Sequence, residues 1–398
     1  MIDEIQNTSN LRIKRVSLDF KRSLFLKFPW KNRMTGIIGT RGVGKTTMIL
    51  QYLKENYQSS KEAVYASLDD LFFTNNTLLE YADYFSKHGG KYLFLDEVHK
   101  YPNWSQELKN IYDRYPDLNI VFTSSSALDI HKGSHDLSRR TLIYKLPGLS
   151  FREYIEFNEH IKFPVVSIKD LFNRHLEIAD GLNEKIKPIP LFEQYMKTGY
   201  YPYYIEDIEG YYQRIKASVN RVIETDLPAI HNIEFYSVMK LKKLLVILAS
   251  MVPFKPNIEK LSGQIGTTRD TLLRFLYYLD KAGLIKLVTT NPFGINYLNK
   301  PDKIFLDNAN LFYALNPESV NAGSLRETFF VNQTAYSSSV TIHQKADFLV
   351  DKKYTVEVGG SSKTKKQISG IENSFIAADN LEYGAFNKIP LWLFGFLY

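Results

Sequence analysis

Cysteine is absent from the 398-residue sequence, and long apolar runs are missing as well. The first absence excludes disulfide frameworks, thiolate zinc sites, iron–sulfur clusters and cysteine nucleophiles, and it is typical of a reducing compartment. Apolar runs such as residues 244–251 and 389–397 are far shorter than the roughly 18 residues needed to cross a bilayer. The N-terminus has neither the basic region nor the apolar region of a secretory signal. We therefore expect a cytoplasmic protein without a membrane span.

Charge of one sign is only in small excess. The sequence has 50 Lys and Arg against 43 Asp and Glu, a net charge of +7. Such an excess permits a polyanionic partner without requiring one. The length allows two to three domains of roughly 100 to 200 residues each.

Short apolar segments alternate with polar, helix-like segments in the first 150 residues. The strand-like segments are residues 34–39, 63–68, 92–95, 119–123 and 141–146. This alternation predicts an α/β fold with a parallel sheet covered by helices. Helical segments follow, then a helix-turn-helix pattern after residue 238, and the last hundred residues are β-rich. The predicted domains are 1–155 (the α/β unit), 156–235 (a helical lid or linker), 236–298 (the helix-turn-helix and a following strand) and 299–398 (the β-rich end).

A glycine-rich motif at residues 39–46 follows a predicted strand and opens a predicted helix. Its sequence, Gly-Thr-Arg-Gly-Val-Gly-Lys-Thr, is the P-loop pattern. The glycines let backbone N–H groups converge on a phosphate at the start of the helix. We expect Lys45 to neutralise the β- and γ-phosphates and Thr46 to bind Mg²⁺. The complete predicted phosphate-binding set is Gly39, Thr40, Arg41, Gly42, Val43, Gly44, Lys45, Thr46 and Thr47.

Two adjacent acids, Asp96 and Glu97, follow the apolar residues 92–95. In this arrangement the first carboxylate holds Mg²⁺, usually through water, and the second orients the attacking water. We therefore predict that Asp96 lies on the metal side and that Glu97 is catalytic. His99 lies two positions further on, where a structural role is more common than a catalytic one.

Two more segments are candidates for the same site. Residues 119–122 end in Thr-Ser-Ser-Ser at 123–126, and Ser125 is a candidate to contact the γ-phosphate or the attacking water. A Ser- and Thr-rich loop is also a common way to leave a strand. Arg139 and Arg140 precede the next strand-like segment, and phosphoryl transfer gains from an added positive charge in the transition state. One of them is a candidate arginine finger, although a solvated basic turn explains the pair equally well.

These motifs, together with Leu-Ser-Phe-Arg-Glu-Tyr at 149–154, resemble those of the prokaryotic AAA+-like ATPases with a C-terminal winged-helix and restriction-endonuclease-like region. In that family, glycines normally stand at the positions of Ser124 and Arg139. The resemblance implies ATP and Mg²⁺ as cofactors, ATP hydrolysis, and a ring-forming oligomer such as a hexamer. In such a ring, Arg140 acts on the nucleotide of a neighbouring subunit.

Most of the excess positive charge falls in residues 238–286, where nine basic residues against three acidic ones give +6. Thr268, Arg269 and Arg274 lie near the start of the second predicted helix of the helix-turn-helix, and they are candidates for DNA contact. Residues 284–288 are predicted to form the first wing strand. The basic charge favours binding to a nucleic-acid backbone without identifying a base sequence. A winged helix that only packs or contacts protein remains an alternative.

In the last domain the resemblance implies a restriction-endonuclease fold. Its active form needs acids that hold a divalent metal and a Glu-x-Lys motif whose lysine aids the attacking water. Glu327, Asp347 and Glu357 fall in the matching places, but Gly359 stands where the lysine belongs. A lysine displaced into residues 360–367 is an alternative, but we expect that this domain does not cleave DNA.

The function that these patterns favour is a Mg²⁺-dependent ATPase that couples ATP binding and hydrolysis to DNA binding or remodelling. Translocation on duplex or branched DNA is the most concrete form of this hypothesis. Two alternatives remain. One is an ATP-controlled signalling or assembly switch with a structural winged helix, and the other is an ATP-gated DNA nuclease.

Overall fold

The computed structural model describes residues 2–58, 60–125, 137, 139–290 and 300–398. These residues form two compact units, the first made of residues 1–148 and 224–233 and the second of residues 149–223 and 234–398. Ser126 of the third motif and the predicted boundary at residue 298 lie outside the described residues. The finer division into four domains stays a prediction.

The elements are numbered here in chain order over the described residues. The α-helices are α1 (Ile2–Arg15), α2 (Ser23–Lys27), α3 (Lys45–Asn56), α4 (Phe72–Asn75), α5 (Leu78–Lys87), α6 (Trp104–Arg114), α7 (Phe151–Glu159), α8 (Ile168–Asn183), α9 (Pro188–Thr198), α10 (Tyr211–Arg221), α11 (Leu227–His231), α12 (Phe235–Met251), α13 (Ile258–Ile265), α14 (Arg269–Lys281), α15 (Asn310–Leu315) and α16 (Ala322–Thr334). The strands are β1 (Met34–Gly39), β2 (Ala63–Ser67), β3 (Tyr92–Asp96), β4 (Asn119–Ser125), β5 (Leu142–Lys145), β6 (Ile285–Val288), β7 (Lys303–Leu306), β8 (Val340–Ile342), β9 (Phe348–Val350), β10 (Tyr354–Gly359), β11 (Ser374–Ala378) and β12 (Lys388–Pro390). None of these helices is both long and apolar enough to cross a membrane.

A parallel five-stranded sheet is the centre of the first unit. Its strand order is β2-β3-β4-β1-β5, and every neighbouring pair is parallel. Strands β3 and β4 are buried along almost their whole length, as expected of a parallel sheet whose strands are continuous apolar runs. The predicted α/β fold with a parallel sheet is therefore confirmed for this unit.

The sheet brings the predicted site residues to one edge. Strands β3, β4 and β1 are neighbours, and their last residues are Asp96, Ser125 and Gly39. The register pairs Gly39 with Ser125 directly. Because parallel strands end at the same edge, motifs about 30 to 50 residues apart in sequence meet where ligands bind in open α/β sheets.

The second unit begins with aromatic-rich helices. Helix α7 starts in a capping box in which Ser150 and Glu153 satisfy each other's backbone N–H groups. The buried amide of Asn310 accepts from the Tyr211 hydroxyl (2.6 Å) and donates to the carbonyls of Tyr195 (3.2 Å) and Met196 (2.8 Å). Such satisfied polar groups fix how α9, α10 and α15 pack, because an unpaired amide there would be costly.

Two helices and a two-stranded sheet follow within this unit. Helix α13 ends at Ile265 and is capped by Gly266, whose φ of 69° suits glycine, and α14 begins three residues later at Arg269. Strands β6 and β7 are antiparallel and pair Ile285 with Leu306. Residues 303–306, which the sequence analysis includes in the last predicted domain, form β7 and complete the sheet with β6. The winged helix itself stays a prediction.

A second five-stranded sheet lies near the end of the chain. Its order is β12-β11-β10-β9-β8, with β8, β9 and β10 antiparallel and β10, β11 and β12 parallel. Phe330 of α16 packs against Phe348 and Phe394, all fully buried. Of the acids that the sequence singled out in the last domain, Glu357 lies on β10, Asp347 directly precedes β9, and Glu327 lies on α16.

Candidate functional site

The loop between β1 and α3 has the backbone that a phosphate-binding loop requires. Gly42 and Gly44 have φ values of 81° and 95°, a region that residues with a Cβ rarely adopt. A Cβ at Gly39 would lie 2.4 Å from the carbonyl oxygen of Leu146. The three glycines of the motif are therefore required by the loop itself, and the loop leads directly into the N-terminus of α3 at Lys45.

The side chain of Lys45 lies within this loop. Its Nζ donates to the carbonyl oxygens of Gly39 (2.8 Å) and Thr40 (3.1 Å). Burial lowers the pKa of Lys45, and the attraction of Glu97 and Asp96 only partly opposes this effect. The ammonium group is thus held where the motif places phosphates, with backbone carbonyls that phosphate oxygens can replace as its partners.

Asp96 is buried and surrounded by hydroxyl groups. Its Oδ2 accepts hydrogen bonds from Thr46 Oγ1 (2.7 Å) and the Tyr65 hydroxyl (2.8 Å), and its Oδ1 accepts from Thr123. Thr46 and Asp96, the two residues predicted to lie on the metal side, are therefore in contact. Mg²⁺ is usually held by one or two carboxylates with water and substrate phosphates. This donor set fits Mg²⁺, and no group of three His, Asp or Glu that could hold a metal occurs in the described part of the chain.

Glu97 follows β3 in the left-handed region, with φ of 56°. Its backbone N–H donates to Thr123 Oγ1 (3.0 Å), which fixes this unusual turn. Its Oε2 is buried without a hydrogen-bond partner, 3.3 Å from Arg41 Nη2 and 3.2 Å from Lys100 Nζ. Burial would raise the pKa of Glu97, but Lys45 and the other nearby cations outweigh it and lower that pKa. The carboxylate is thus ionised and able to accept a proton or a hydrogen bond from water.

Asp226 completes the site from a distant part of the sequence. It belongs to residues 224–233, which form part of the first unit, and its side chain is 1% exposed. Its two carboxylate oxygens accept from Arg41 Nε (2.9 Å) and Nη2 (2.8 Å). Burial would raise the pKa of Asp226, but His99 and Arg41 outweigh it and hold that pKa well below its usual range.

His99 is buried between these acids. Its Nδ1 accepts the backbone N–H of Ser125 (3.3 Å), so the neutral ring carries its proton on Nε2. Nε2 lies 3.8 Å from Glu97 Oε2 and 3.7 Å from Asp226 Oδ1 and has no hydrogen-bond partner. His99 therefore lines the site, although the sequence favoured a structural role for it.

Two other predicted site residues have different surroundings. The backbone of Ser125 supports His99, and its contact with phosphate or water stays a prediction. Arg140 Nε and Nη2 bind the carboxylate of Asp113 in α6 (3.0 and 3.1 Å). An arginine that acts on a neighbouring subunit would have to leave this surface pair, and that role also stays a prediction.

The DNA-contact candidates lie around the start of α14. Thr268 caps the helix by accepting from the backbone N–H of Thr271 (3.3 Å), which gives it a structural task. Arg269 and Arg274 are exposed, and Arg274 also donates to Thr271 Oγ1 (3.1 Å). Both guanidinium groups can therefore reach a polyanion, while Thr268 is needed for the helix itself.

The acids of the last domain form a second cluster, which consists of Glu327, Asp347 and Glu357 with Lys303 and Lys363. Lys303 pairs with Glu327, and Lys363 Nζ lies 2.6 Å from Glu357 Oε1. Burial raises the pKa of Glu327, and the charges of Asp347 and Glu357 act in the same direction, while Lys303 opposes them. The three acids therefore share one electrostatic environment.

Lys363 occupies the space that a side chain at residue 359 would fill. A Cβ built on Gly359 would lie 2.9 Å from Lys363 Cγ and 3.0 Å from its Cβ and Cδ. The lysine that the motif lacks at 359 thus has a spatial counterpart four residues later. Its ammonium group neutralises Glu357, the motif acid that lies on the same strand as Gly359.

Comparison with known families agrees with the geometry of the first unit. Residues 31–155 match an AAA domain. This match covers the phosphate-binding loop, both acids after β3 and Arg140. Residues 189–321 match a domain of unknown function, DUF8612, which covers the helix-turn-helix and the β6–β7 sheet without assigning them a role.

Relatives outside this AAA domain match add little about function. An uncharacterized protein of Methanocaldococcus jannaschii, MJ1637, is 27% identical over an alignment of 375 residues that covers 85% of this chain and 78% of that protein. Among solved structures, AMPPCP-bound DnaA from Aquifex aeolicus is similar over 63% of this chain and 82% of its own, with 17% identity and a TM-score of 0.25. A katanin solved for its self-assembly is similar over 41% of this chain and 58% of its own, with 15% identity and a TM-score of 0.25. Likenesses this weak carry no argument about the activity of this chain.

Sequence reasoning missed Asp226 and Tyr65 as parts of the site. Asp226 follows Glu97 by more than a hundred residues and stands in no recognisable phosphate-binding motif. Tyr65 lies within the apolar strand β2, where its hydroxyl gives no signal that it reaches Asp96. Only the strand order, which makes β2 and β3 neighbours, could have indicated the contact of Tyr65.

Proposed function

We propose that this protein is a Mg²⁺-dependent ATPase whose first unit binds ATP at residues 39–47 and hydrolyses it with Glu97. The observation that carries the proposal is the direct contact of Thr46 with Asp96, 2.7 Å, beside a partly buried Glu97 whose pKa is lowered. A glycine-rich turn alone would explain the loop, but it would not require both acids at the same sheet edge.

Each side chain of the site has a separate role in phosphoryl transfer. Lys45 would exchange its two carbonyl partners for phosphate oxygens, and Thr46 and Asp96 would hold Mg²⁺. Mg²⁺, when bound, supplies positive charge to the phosphate oxygens. Glu97 accepts a hydrogen bond from the attacking water, and the Thr123 hydroxyl that bonds both to Asp96 and to the Glu97 backbone keeps the two acids in register. We place this activity in the cytoplasm.

The test of ATP binding is the substitution Lys45→Ala in the full chain. Removing a buried ammonium that faces phosphates should weaken the binding of labelled ATP by at least about tenfold, since charge-assisted contacts are among the strongest. Lys91→Ala is the matched control, because Lys91 lies in the same unit in an exposed pair with Glu62. Equal ATP affinity for both variants would contradict the proposal.

We further propose that ATP turnover is coupled to DNA, through the basic residues 238–286. Arg269 and Arg274 are exposed at the start of α14, and the segment carries most of the net charge. Turnover should rise with duplex, single-stranded or branched DNA at low salt, and a variant with Arg269→Ala and Arg274→Ala should lose that rise. Arg174→Ala, which removes an exposed arginine from the same unit, is the control. If DNA neither binds nor stimulates turnover, this part of the proposal fails.

An ATP-controlled assembly switch is the second candidate, and the surface of α12 favours it. Phe235, Tyr236, Met239 and Val246 are 81%, 70%, 52% and 65% exposed on this one helix. Exposed apolar surface of this extent is typical of protein contacts. A mass measurement with and without a non-hydrolysable ATP analogue distinguishes the candidates, because a switch changes its assembly with nucleotide even when no DNA is present.

Self-association, such as a hexameric ring, belongs to both candidates. If Arg140 acts on a neighbouring subunit, then mixing Arg140→Ala chains with Glu97→Gln chains should restore part of the activity that each lacks. Restoration requires an intact Glu97 and an intact Arg140 at a shared interface. Activity that stays absent in every mixture, although mixed oligomers form, would contradict a role for Arg140 between subunits.

For the last domain we propose that no DNA is cleaved, because Lys303 and Lys363 already neutralise two of its three acids. Supercoiled plasmid should therefore stay intact with the full chain and Mg²⁺ or Mn²⁺. Nicking that Asp347→Ala abolishes would overturn this proposal and favour the ATP-gated nuclease.

A further inference from the structure

Arg41 and Asp226 form a fork-like pair beside the proposed ATP site. Two nitrogens of the guanidinium, Nε and Nη2, bind the two oxygens of one carboxylate at 2.9 and 2.8 Å. The carboxylate is 1% exposed and the Arg41 side chain 17% exposed, so the pair is largely removed from water. Two-point contacts of this kind fix the plane and the direction of a guanidinium, which a single contact does not.

The position of Arg41 indicates what it faces. Arg41 is the second residue after Gly39, inside the loop that closes on phosphates, and its Nη2 lies 3.3 Å from Oε2 of Glu97. In phosphoryl transfer to water, the acid that orients the water lies next to the terminal phosphate. A cation that contacts this acid from within the phosphate-binding loop is therefore beside the same phosphate.

Arg41 retains donors for such a ligand. A guanidinium has five N–H donors, and the contacts with Asp226 engage only Nε and Nη2. Among the described residues, Nη1 has no hydrogen-bond or ion-pair partner. Asp226 thus orients the guanidinium and leaves N–H donors available for a ligand.

His99 supplies an independent sign of a ligand at this place. Its side chain is 1% exposed, and its Nε2–H lies between Glu97 and Asp226 without a hydrogen-bond partner. A buried donor left without an acceptor is costly, so native structures rarely keep one unless a water or ligand completes it. The space bordered by these three side chains therefore suits a water, which can accept from His99 and donate to either carboxylate, as expected beside a terminal phosphate.

Asp226 also has an uncommon backbone setting. It ends a π-helical turn, Val222–Asp226, and precedes α11. Such turns are rare and occur often at functional sites.

We infer that Arg41 binds the terminal phosphate of ATP within its own chain, and that Asp226 is the positioning residue that holds Arg41 for this contact. The inference rests on the proposed ATPase function and deepens it. It assigns the discrimination of ATP from ADP to a pair of residues within the first unit, independently of any arginine from a neighbouring subunit.

The test compares the affinities of the full chain for ADP and for a non-hydrolysable ATP analogue, both with Mg²⁺. Asp226→Asn keeps the shape and removes the charge, and Arg41→Lys keeps the charge and removes the fork. Each variant should bind the ATP analogue about tenfold more weakly and ADP within about twofold of the wild type, as for the loss of a charge-assisted contact. The double variant should bind the ATP analogue about as tightly as either single variant, because both substitutions disrupt the same contact.

Asp83→Asn is the matched control, since it removes an aspartate from an exposed pair with Lys87 in the same unit. It should leave both affinities unchanged. An unchanged ratio of the two affinities in both site variants would overturn the inference, and so would tighter binding of the ATP analogue by Asp226→Asn, which would mean that Asp226 competes with phosphate for Arg41.

Two measurements keep the outcome interpretable. Circular dichroism reports whether Asp226→Asn folds. If it does not fold, the affinities of Arg41→Lys alone test the inference, because Arg41 is less buried than Asp226. Lys45→Ala reports on the proposed function separately. If Lys45→Ala binds both nucleotides more weakly, while Arg41→Lys keeps the wild-type ratio of ATP-analogue to ADP affinity, only the inference about Arg41 fails. If Lys45→Ala binds both nucleotides as tightly as the wild type, the proposed function and the inference both fail.

Discussion

The chain contains two clusters of buried carboxylates beside strands, and their partners differ. In the first unit, Asp96 accepts hydrogen bonds from three hydroxyl groups, and Glu97 Oε2 lies between two cations, 3.3 Å from Arg41 Nη2 and 3.2 Å from Lys100 Nζ. In the last domain, Glu327 and Glu357 each pair with a lysine. Hydroxyl partners can yield to a metal ion or remain beside it, whereas a lysine ammonium takes the place of the positive charge that a metal would supply.

The pKa shifts point in opposite directions in the two clusters. Burial would raise the pKa of both Glu97 and Glu327, but the cations around Glu97 outweigh burial and lower its pKa. Around Glu327, burial and the neighbouring acids prevail over Lys303, and its pKa is raised. Acids that are similarly removed from water therefore have opposite pKa shifts, because more cations surround Glu97 than Glu327.

The largest expected effect is on hydrolysis in the first cluster. Glu97→Gln should retain ATP and lower its turnover by about a hundredfold or more, the usual contribution of a positioned general base. Steady-state phosphate release and labelled-ATP binding measure the two properties separately. Glu62→Gln, in an exposed pair of the same unit, should change neither. Normal turnover in Glu97→Gln would remove the distinction between the two clusters.

A smaller effect is expected on the need for metal. Thr46→Val removes the hydroxyl that contacts Asp96 while keeping the size of the side chain, and it should raise the Mg²⁺ concentration for half-maximal turnover by about tenfold, as for one lost ligand. The Mg²⁺ titration of turnover measures this change. Thr77→Val would be a poor control because Thr77 caps α5, so Thr74→Val, on the short helix α4 of the same unit, is preferable. An unchanged Mg²⁺ requirement would contradict the metal-side assignment of Thr46.

The second cluster should respond in stability rather than in ATP turnover. Lys363→Ala leaves the buried Glu357 without its cation, which should cost about 1 to 3 kcal/mol, less than a fully buried pair because Lys363 is 32% exposed. Thermal unfolding followed by circular dichroism measures the loss, and Lys365→Ala in the same loop is the control. If ATP turnover falls instead while the unfolding temperature stays constant, the lysine has a role that the cluster geometry does not explain.

The smallest expected effect is a pH dependence at Glu327. A carboxyl with a raised pKa favours folding in its protonated form, and this contribution is lost as the pH rises from its unfolded value of about 4.5 through the raised folded value. The side chain of Glu327→Gln cannot ionise. As the pH rises through this window, the unfolding temperature of the variant should therefore increase relative to that of the wild type. A difference that is constant from pH 4 to pH 7 would contradict the raised pKa.

The parts of the fold and site that the sequence predicted are those with local signals. The P-loop, Asp96 and Glu97 follow apolar strands within a few residues, and the parallel sheet follows from the alternation of strand-like and helix-like segments. The pairing of β7, which begins at Lys303, with β6 was not predicted, because it depends on contacts that periodicity does not reveal. The sequence allows a lysine displaced into residues 360–367 as an alternative, but the spacing of a strand motif could not single out Lys363, which reaches the position from a loop.

Residues 224–233 have a practical consequence for dissecting the protein. The first unit is discontinuous, since this segment belongs to it while the residues on either side belong to the second unit. A fragment that ends at residue 148 would contain the whole P-loop, Asp96 and Glu97, but it would lack Asp226, the carboxylate that binds Arg41 at two points. Experiments on an isolated ATPase fragment should therefore restore this segment through a short linker, or else their nucleotide preference will describe a different site.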